Sequence, residues 1–393
     1  MVIGANVYNA GQFLYHFLAI KLLSPAHYGD LAAIISLLGL VGIVQLSIGL
    51  TIVKFISSER TDTKILSFIR WFHWWSLWIG LIIGLVVLLS SPYLIKFFNI
   101  TQPSSIYLLG PFLVLFVLLN TGRSVLQGLV SFGKFVATLT VEISSKLLLT
   151  FLFIYLGYAV FGAMVALVIS IGLALGFILF TLKNKVFGVL GEKPNITPLV
   201  KYSIPVFFQG ISLTAMYSID LLTVKHFFEP QTAGLYATLA VLGRVVFFGT
   251  APIASVMFPL ISKKHSYGER YHNIFLLSLF LIVCICIFVI GLYYFFPQFL
   301  IAILNKEYLE GASILWWFAI FMSMLSLASL FTQFYLSVNK TKIIYVFPLA
   351  AMSQAVILWL FHSNLLQVIQ LSSAVAALLV LVLLVYFPHH DKK

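Results

Sequence analysis

The sequence predicts an all-α polytopic membrane protein with about twelve transmembrane helices in two six-helix lobes, related by a parallel internal repeat. Three observations predict this fold class. The composition is too apolar for a soluble fold. Apolar runs of membrane-spanning length follow one another along the chain. A turn near the start of the chain recurs about half a chain later.

The composition argues against a water-soluble protein. Of the 393 residues, 62% are hydrophobic and 9% are charged, whereas a soluble domain carries about 25% charged residues. The formal net charge of +12 would favour nucleic-acid binding in a soluble protein. Here the basic residues flank apolar spans, so no nucleic-acid partner is expected. Cys284 and Cys286 lie in one apolar span and face different directions on a helix, so neither a disulfide nor a metal site is predicted.

Long apolar runs predict the individual helices. A membrane span needs about 20 apolar residues, and these runs are too long and continuous for the strands of a barrel. Ser24-Pro25 and Glu229-Pro230 separate neighbouring runs, because proline lacks a backbone donor and restricts the residue before it. The predicted helices cover residues 2–22, 29–57, 66–90, 105–126, 134–157, 159–182, 198–228, 232–261, 271–296, 311–337, 341–362 and 364–387.

The longest polar connection lies near the middle of the chain and predicts the division into domains. Residues 183–197 contain two glycines and a proline, as expected of a loop. We therefore expect an N-terminal six-helix lobe at residues 1–182, a cytoplasmic linker at 183–197 and a C-terminal six-helix lobe at 198–393.

The distribution of basic residues predicts the orientation in the membrane. If the N-terminus is cytoplasmic, 17 of the 23 lysines and arginines fall on the inner side and four on the outer side. Loops on the cytoplasmic side carry an excess of basic residues. The count therefore predicts an even number of spans, with both termini in the cytoplasm of a plasma (inner) membrane.

The internal repeat is carried by the turn after the first helix. Residues 23–29, LSPAHYG, correspond to residues 228–234, FEPQTAG, with the prolines 205 positions apart. Each half holds six predicted helices, so the two copies enter the membrane in the same orientation. Two such lobes form a cleft between them, and rocking of one lobe against the other gives alternating access.

Four charged residues fall inside predicted spans and are candidates for binding substrate in that cleft. Each costs at least about 2.5–3.5 kcal/mol to insert, so a functional or pairing role is expected for Glu142, Lys146, Asp220 and Arg244. Cations could accompany an anionic phosphate through the membrane. Alternatively, Glu142 and Lys146 neutralise each other across one helical turn, and Asp220 pairs with Arg244 on the next helix. Either acid could also couple transport to a proton or a sodium ion.

Two further groups of polar residues have weaker candidate roles. Asn9, Gln12 and His16 lie on roughly one face of the first helix, where they could line the cleft or hydrogen-bond to other helices. Basic residues at the inner ends of helices could recruit an anionic headgroup, although the positive-inside rule already explains them. These recruitment candidates are Lys54, Arg70, Arg123 and Lys201.

Several short segments, in this order and spacing, resemble the polysaccharide biosynthesis protein family, the oligosaccharide flippases of the multidrug/oligosaccharidyl-lipid/polysaccharide exporter superfamily. The resemblance extends over most of the chain, although no single segment is specific. The segments are Leu22-Leu23-Ser24-Pro25 with Tyr28-Gly29, Leu126-Gln127-Gly128 with Phe132, Gly157 with Gly162-Ala163, Ile219-Asp220 with Pro230 and Gly234-Leu235-Tyr236, Phe258-Pro259, and Tyr308-Leu309-Glu310-Gly311-Ala312.

The resemblance implies a transporter that flips a lipid-linked oligosaccharide of the polyprenyl-phosphate type from the inner to the outer leaflet. The implied partners are that substrate, membrane lipids and other polysaccharide assembly proteins, and we expect a monomer without a cofactor. The family has a counterpart of Asp220 in its seventh helix, which favours a role for this residue in the cleft.

Two alternatives to a flippase follow from the same sequence. An ion-coupled multidrug antiporter of the same superfamily would favour an acidic and aromatic cleft, because its substrates are usually cations. A membrane glycan polymerase or ligase would need a sizeable outer loop with catalytic residues. Every predicted outer loop is short and lacks such a constellation, so no enzymatic activity is expected.

Overall fold

The computed structural model describes residues 2–58, 61–187, 197–338 and 340–387, and the regular secondary structure of these residues is helical. Within these ranges, twelve helices have 15 residues or more, and they correspond in order to the twelve predicted spans. They are α1 (Val2–Leu22), α2 (Pro25–Ser58), α3 (Asp62–Phe97), α4 (Leu109–Gly128), α5 (Phe132–Tyr155), α6 (Ala159–Val186), α7 (Thr197–Phe227), α8 (Pro230–Ser266), α9 (His272–Phe295), α10 (Leu315–Ser337), α11 (Val346–Leu360) and α12 (Leu365–Val385).

Eleven of these helices, α2–α12, are long and apolar enough in their described residues to cross a membrane. The side chains of α1 are described only from residue 7 onward, and α1 is not in that count. The predicted fold class, an all-α polytopic membrane protein, is therefore confirmed.

The helix ends differ from the prediction where polar or proline residues continue a helix beyond its apolar run. α2 begins at Pro25, because proline fits the first turn of a helix, where its missing N–H is not needed. α8 passes through Pro252 and Pro259 and continues to Ser266. In contrast, the segment before α10 forms a 3₁₀ helix, Lys306–Ile314. Hydropathy marks the lipid-exposed length of a helix, whereas backbone hydrogen bonds decide where it ends.

The described chain divides into two compact units, Met1–Phe207 (unit 1) and Phe208–Lys393 (unit 2). The boundary lies within α7, just after the predicted linker. Most of that linker, residues 188–196, lies outside the described residues, so its cytoplasmic location remains a prediction.

In unit 1, α4 is the central helix. It packs against α2, α3 and α6, while α5 packs against α1 and α6. The six consecutive residues from Thr121 to Leu126 are all buried, which is expected of a helix that neighbours surround. A polar or charged side chain on this stretch must therefore find a partner within unit 1.

Unit 2 repeats this arrangement around α10. This helix packs against α8, α9 and α12, and α11 packs against α12. The corresponding helices in unit 1 make the same contacts, since α10 corresponds to α4. The internal repeat predicted from the turn sequences thus extends to the packing of the helices within each unit.

Two pairs of hydrogen bonds at equivalent positions show that the repeat extends to individual side-chain and backbone contacts. Gln45 Nε2 donates to Thr121 Oγ1 at 3.1 Å between α2 and α4, and Thr250 Oγ1 donates to Ser326 Oγ at 2.9 Å between α8 and α10. Both members of the second pair lie 205 positions after those of the first. The two turns agree as well. The backbone amide of Tyr28 donates to the carbonyl of Ser24, and 205 positions later the backbone amide of Ala233 donates to the carbonyl of Glu229.

Candidate functional site

A buried charged cluster lies between α1, α4 and α5 in unit 1. Arg123 comes from α4, and Glu142 and Lys146 come from α5, one helical turn apart. Their relative exposures are 7%, 6% and 6%. Charges are costly at this depth in a membrane protein, so their partners decide what the cluster can do.

Both oxygens of the Glu142 carboxylate are engaged. Arg123 Nη2 lies 2.6 Å from Oε2 in an ion pair, and the Tyr8 hydroxyl donates to Oε1 at 2.7 Å. The guanidinium of Arg123 is further held by Thr138, since Nε donates to Thr138 Oγ1 at 3.0 Å and Nη2 donates to the Thr138 carbonyl at 3.1 Å. This fork of donors joins α4 to α5, and Tyr8 joins α1 to the same carboxylate.

Lys146 has a different environment from Arg123. Its Nζ donates to Gln12 Oε1 at 2.7 Å and lies 3.8 Å from the centre of the Tyr15 ring. The described ion pair of Glu142 within 4.0 Å is with Arg123 and not, as predicted, with Lys146. The two charges on α5 still interact electrostatically over a longer distance. The planar guanidinium can serve Thr138 and Glu142 together, which the ammonium cannot do.

The three polar residues predicted to share a face of α1 have separate environments. Gln12 contacts Lys146, as described above. The ring of His16 forms a 3.1 Å hydrogen bond through Nδ1 with the hydroxyl of Tyr28 in the first turns of α2. Asn9 is exposed. The charged cluster thus includes Gln12, whereas His16 belongs to the contact between α1 and α2.

In unit 2, Asp220 and Arg244 lie on the neighbouring helices α7 and α8 but do not pair with each other in the described structure. Asp220 is fully buried, and its Oδ2 accepts a 2.9 Å hydrogen bond from Tyr236. Arg244 Nη2 donates to the carbonyl of Tyr217 at 3.0 Å, and the guanidinium lies 5.4 Å from the centre of the Tyr217 ring. Among the described residues, the predicted direct ion pair is therefore not formed within 4.0 Å, although the two charges interact electrostatically. Tyr236 lies eight residues before Arg244 on α8, so the two side chains meet α7 at different heights.

The candidates for headgroup recruitment are placed differently from one another. Arg123 is buried in the cluster rather than at the end of a helix, because α4 continues beyond it to Gly128. Arg70 is partly buried in α3. The side chains of Lys54 and Lys201 lie outside the described residues. Recruitment of a headgroup remains a prediction for all four residues.

Sequence reasoning missed the tyrosines and the threonine of these sites. Tyr8 and Tyr15 flank Gln12 on α1, and Tyr236 follows Gly234 in the repeated turn. Tyr8 and Tyr15 could have been found from their spacing, because residues three and four positions from Gln12 lie on the same face of the helix. Thr138 gave no such signal, because only the path of α4 brings Arg123 to it. In the described part of the chain, no three His, Cys, Asp or Glu side chains are grouped in a way that could hold a metal ion.

Comparisons with known proteins identify the fold and the family. An inward-facing multidrug resistance MATE family transporter of the MOP superfamily superposes with a TM-score of 0.78 at 13% identity, over 96% of this chain and 94% of that chain. The lipid II flippase MurJ in an inward closed conformation superposes with a TM-score of 0.74 at 15% identity, over 96% and 87% of the two chains. At these identities the likeness shows a shared fold.

Sequence comparisons extend this result to the family. An uncharacterized membrane protein of Methanocaldococcus jannaschii is 25% identical over 362 residues, which cover 86% of this chain and 82% of that protein. The family described as polysaccharide biosynthesis protein matches residues 2–265. This match spans most of the chain, including all of unit 1 after Met1 and both repeated turns. The chain belongs to the polysaccharide biosynthesis protein family.

Proposed function

We propose that this protein is a transporter that flips a lipid-linked oligosaccharide of the polyprenyl-phosphate type from the inner to the outer leaflet of the plasma membrane. Its family membership and the fold that it shares with a lipid II flippase support the proposal. The two units would alternate access by moving relative to each other, as in transporters built from repeats. The 17-to-4 distribution of basic residues favours cytoplasmic termini.

The observation that carries the proposal is the state of Lys146. Its ammonium group is buried and has three donors; in the described structure it donates a hydrogen bond to Gln12 and lies over the ring of Tyr15. The cluster of Arg123, Glu142 and Lys146 has a formal charge of +1. A buried cation without a paired carboxylate is expensive in a membrane unless an anion compensates it. The phosphate of a polyprenyl carrier supplies such an anion.

The direct test is flipping of a fluorescent undecaprenyl-pyrophosphate oligosaccharide in liposomes that contain the full-length protein. We expect Lys146→Ala to slow flipping about tenfold or more, because a hydrogen bond to a charged group contributes roughly 1.5–3 kcal/mol. Lys134→Ala is the matched control, since Lys134 lies three turns earlier on α5 and is exposed. Equal rates for wild type and Lys146→Ala would refute the role of Lys146.

The second candidate function is an ion-coupled multidrug antiporter, and Asp220 is the observation that favours it. Its carboxylate is fully buried, and the described partner of Oδ2 is the neutral hydroxyl of Tyr236. A carboxylate in such an environment can exchange a proton or a small cation. The same liposomes separate the two functions. Export of organic cations driven by a proton or sodium gradient, without movement of the glycolipid, would replace the flippase with the antiporter.

A further inference from the structure

We infer that Arg123 is a positioning residue for the substrate site: it holds the Glu142 carboxylate away from a direct ion pair with Lys146, so that the Lys146 ammonium can meet the anionic group of the substrate. This inference rests on the proposed function, since it takes Lys146 as the group that meets the anion. Arg123 itself contacts Thr138 and Glu142. Its effect on the substrate is therefore indirect.

Glu142 and Lys146 would pair if nothing else held the carboxylate. They are four residues apart on α5, with the glutamate on the N-terminal side, which is the favourable order for an ion pair on a helix. Both side chains are buried, and a low dielectric strengthens the attraction between opposite charges. Among the described contacts, however, the two charges interact only beyond the 4.0 Å limit of an ion pair, and this separation needs a cause.

Arg123 supplies that cause because Thr138 holds its guanidinium in position beside the Glu142 carboxylate. Thr138 receives two of its donors and lies one turn before Glu142 on α5. The hydroxyl of Thr138 in turn donates to the carbonyl of Phe135 at 2.7 Å, which orients the oxygen that accepts from Arg123. From this anchor the guanidinium lies 2.6 Å from Oε2 of Glu142. Tyr8 then occupies Oε1, so the carboxylate is turned toward α4 and α1.

The charges of the cluster make this inference testable, because a second substitution should reverse the effect of the first on substrate binding. In Arg123→Gln, Glu142 is free to pair with Lys146, and the site loses its net positive charge. In the double variant Arg123→Gln/Glu142→Gln, Lys146 again has no competing carboxylate, and the charge of +1 returns. Loss of a merely structural ion pair would lower stability and would affect the charged and the uncharged lipid alike, whereas the positioning role predicts that only binding of the pyrophosphate lipid is lost and regained.

The experiment measures binding of undecaprenyl pyrophosphate to the full-length protein in nanodiscs, with undecaprenol as the uncharged control lipid. We expect Lys146→Gln and Arg123→Gln each to weaken binding about tenfold to a hundredfold, the range for one lost charge-assisted contact. The double variant should return to within about twofold of wild type. Arg123→Lys should lie between wild type and Arg123→Gln, because one ammonium cannot serve both Thr138 and Glu142.

Two outcomes would overturn the inference, and they are distinguishable. If Lys146→Gln weakens binding but the double variant stays as weak as Arg123→Gln, Arg123 acts by another route and the proposed site stands. If Lys146→Gln binds the pyrophosphate lipid as well as wild type does, the proposed site itself fails. Gel filtration and thermal melting of each variant establish that it is folded, and a structure of Arg123→Gln should place Glu142 within 4 Å of Lys146, the usual limit for an ion pair.

Discussion

In unit 1, α1 is joined to α5 by charged groups, through the bonds from Tyr8 to Glu142 and from Lys146 to Gln12. In unit 2, the corresponding helices α7 and α11 are joined by a neutral amide. Gln354 Nε2 on α11 donates to the carbonyl of Met216 at 2.9 Å and to Ser372 Oγ at 3.2 Å. α11 contains no charged residue. The described hydrogen bonds of this helix pair thus involve charged groups in one unit and a neutral amide in the other.

This difference shows which features the internal repeat preserves and which it does not. The repeat preserves the packing scheme and one buried hydrogen bond between α2 and α4, matched between α8 and α10. It does not preserve Arg123, because position 328, which is 205 residues later, is an alanine. Unit 2 therefore packs around α10 without a charge at this position of its central helix.

The largest expected effect comes from breaking the charged junction and comparing it with the neutral one. Glu142→Ala leaves Arg123 as an unpaired buried cation, which costs about 3–5 kcal/mol. Gln354→Ala removes two neutral hydrogen bonds, each worth about 1–2 kcal/mol at most in a membrane protein. Thermal melting in nanodiscs should therefore show a larger fall in Tm for Glu142→Ala. Equal falls would mean that the charges of unit 1 contribute no more than the amide of unit 2.

A glycine contact between α3 and α4 sharpens the comparison. A Cβ at Gly84 would lie 2.8 Å from the carbonyl oxygen of Gly110, which is backbone and cannot move aside. We expect Gly84→Ala to cost about 1–3 kcal/mol through overpacking. The equivalent position in α9, 205 residues later, is Val289, so the close approach is a property of unit 1.

Gly291→Ala in α9 is the matched control, because no atom outside its own turn lies within 4 Å of the added Cβ. Alanine is the better helix former, by up to about 1 kcal/mol, so this variant should melt at the same temperature as wild type or slightly higher. The two substitutions are compared in one melting series. A Gly84→Ala protein as stable as Gly291→Ala would contradict the close helix contact.

The smallest expected effect tests the repeated hydrogen bond. Thr121 Oγ1 bonds both Gln45 and Ser76, at 3.1 and 2.7 Å, whereas the bond between helices α8 and α10 joins Thr250 to Ser326. Such bonds contribute about 0.6 kcal/mol on average in membrane proteins. Double-mutant cycles on Gln45/Thr121 and Thr250/Ser326 should give couplings of this size in both units. A coupling energy in one unit alone would show that the two hydrogen bonds share their geometry but not their contribution to stability.

Much of the fold followed from the sequence, for a simple physical reason. Lipid cannot hydrogen-bond to backbone groups, so every long apolar run must be a helix. The twelve predicted helices therefore recur in order in the structure, and the turn at Pro25 and Pro230 located the repeat. Charged residues within such runs could also be identified, because their insertion is costly. All four predicted intramembrane charges lie in long helices of the described structure.

Only the tertiary structure decided which of these charges meet. Spacing along one helix favoured Glu142 with Lys146, yet Glu142 is bound by Arg123 from α4 and by Tyr8 from α1. Neighbouring helices suggested Asp220 with Arg244, yet Asp220 is bound by Tyr236. The free-energy cost of inserting each charge can be judged from the sequence, because it depends on that residue and the surrounding lipid. Its partner depends on how helices distant in sequence are rotated and stacked, and packing within each unit sets that rotation.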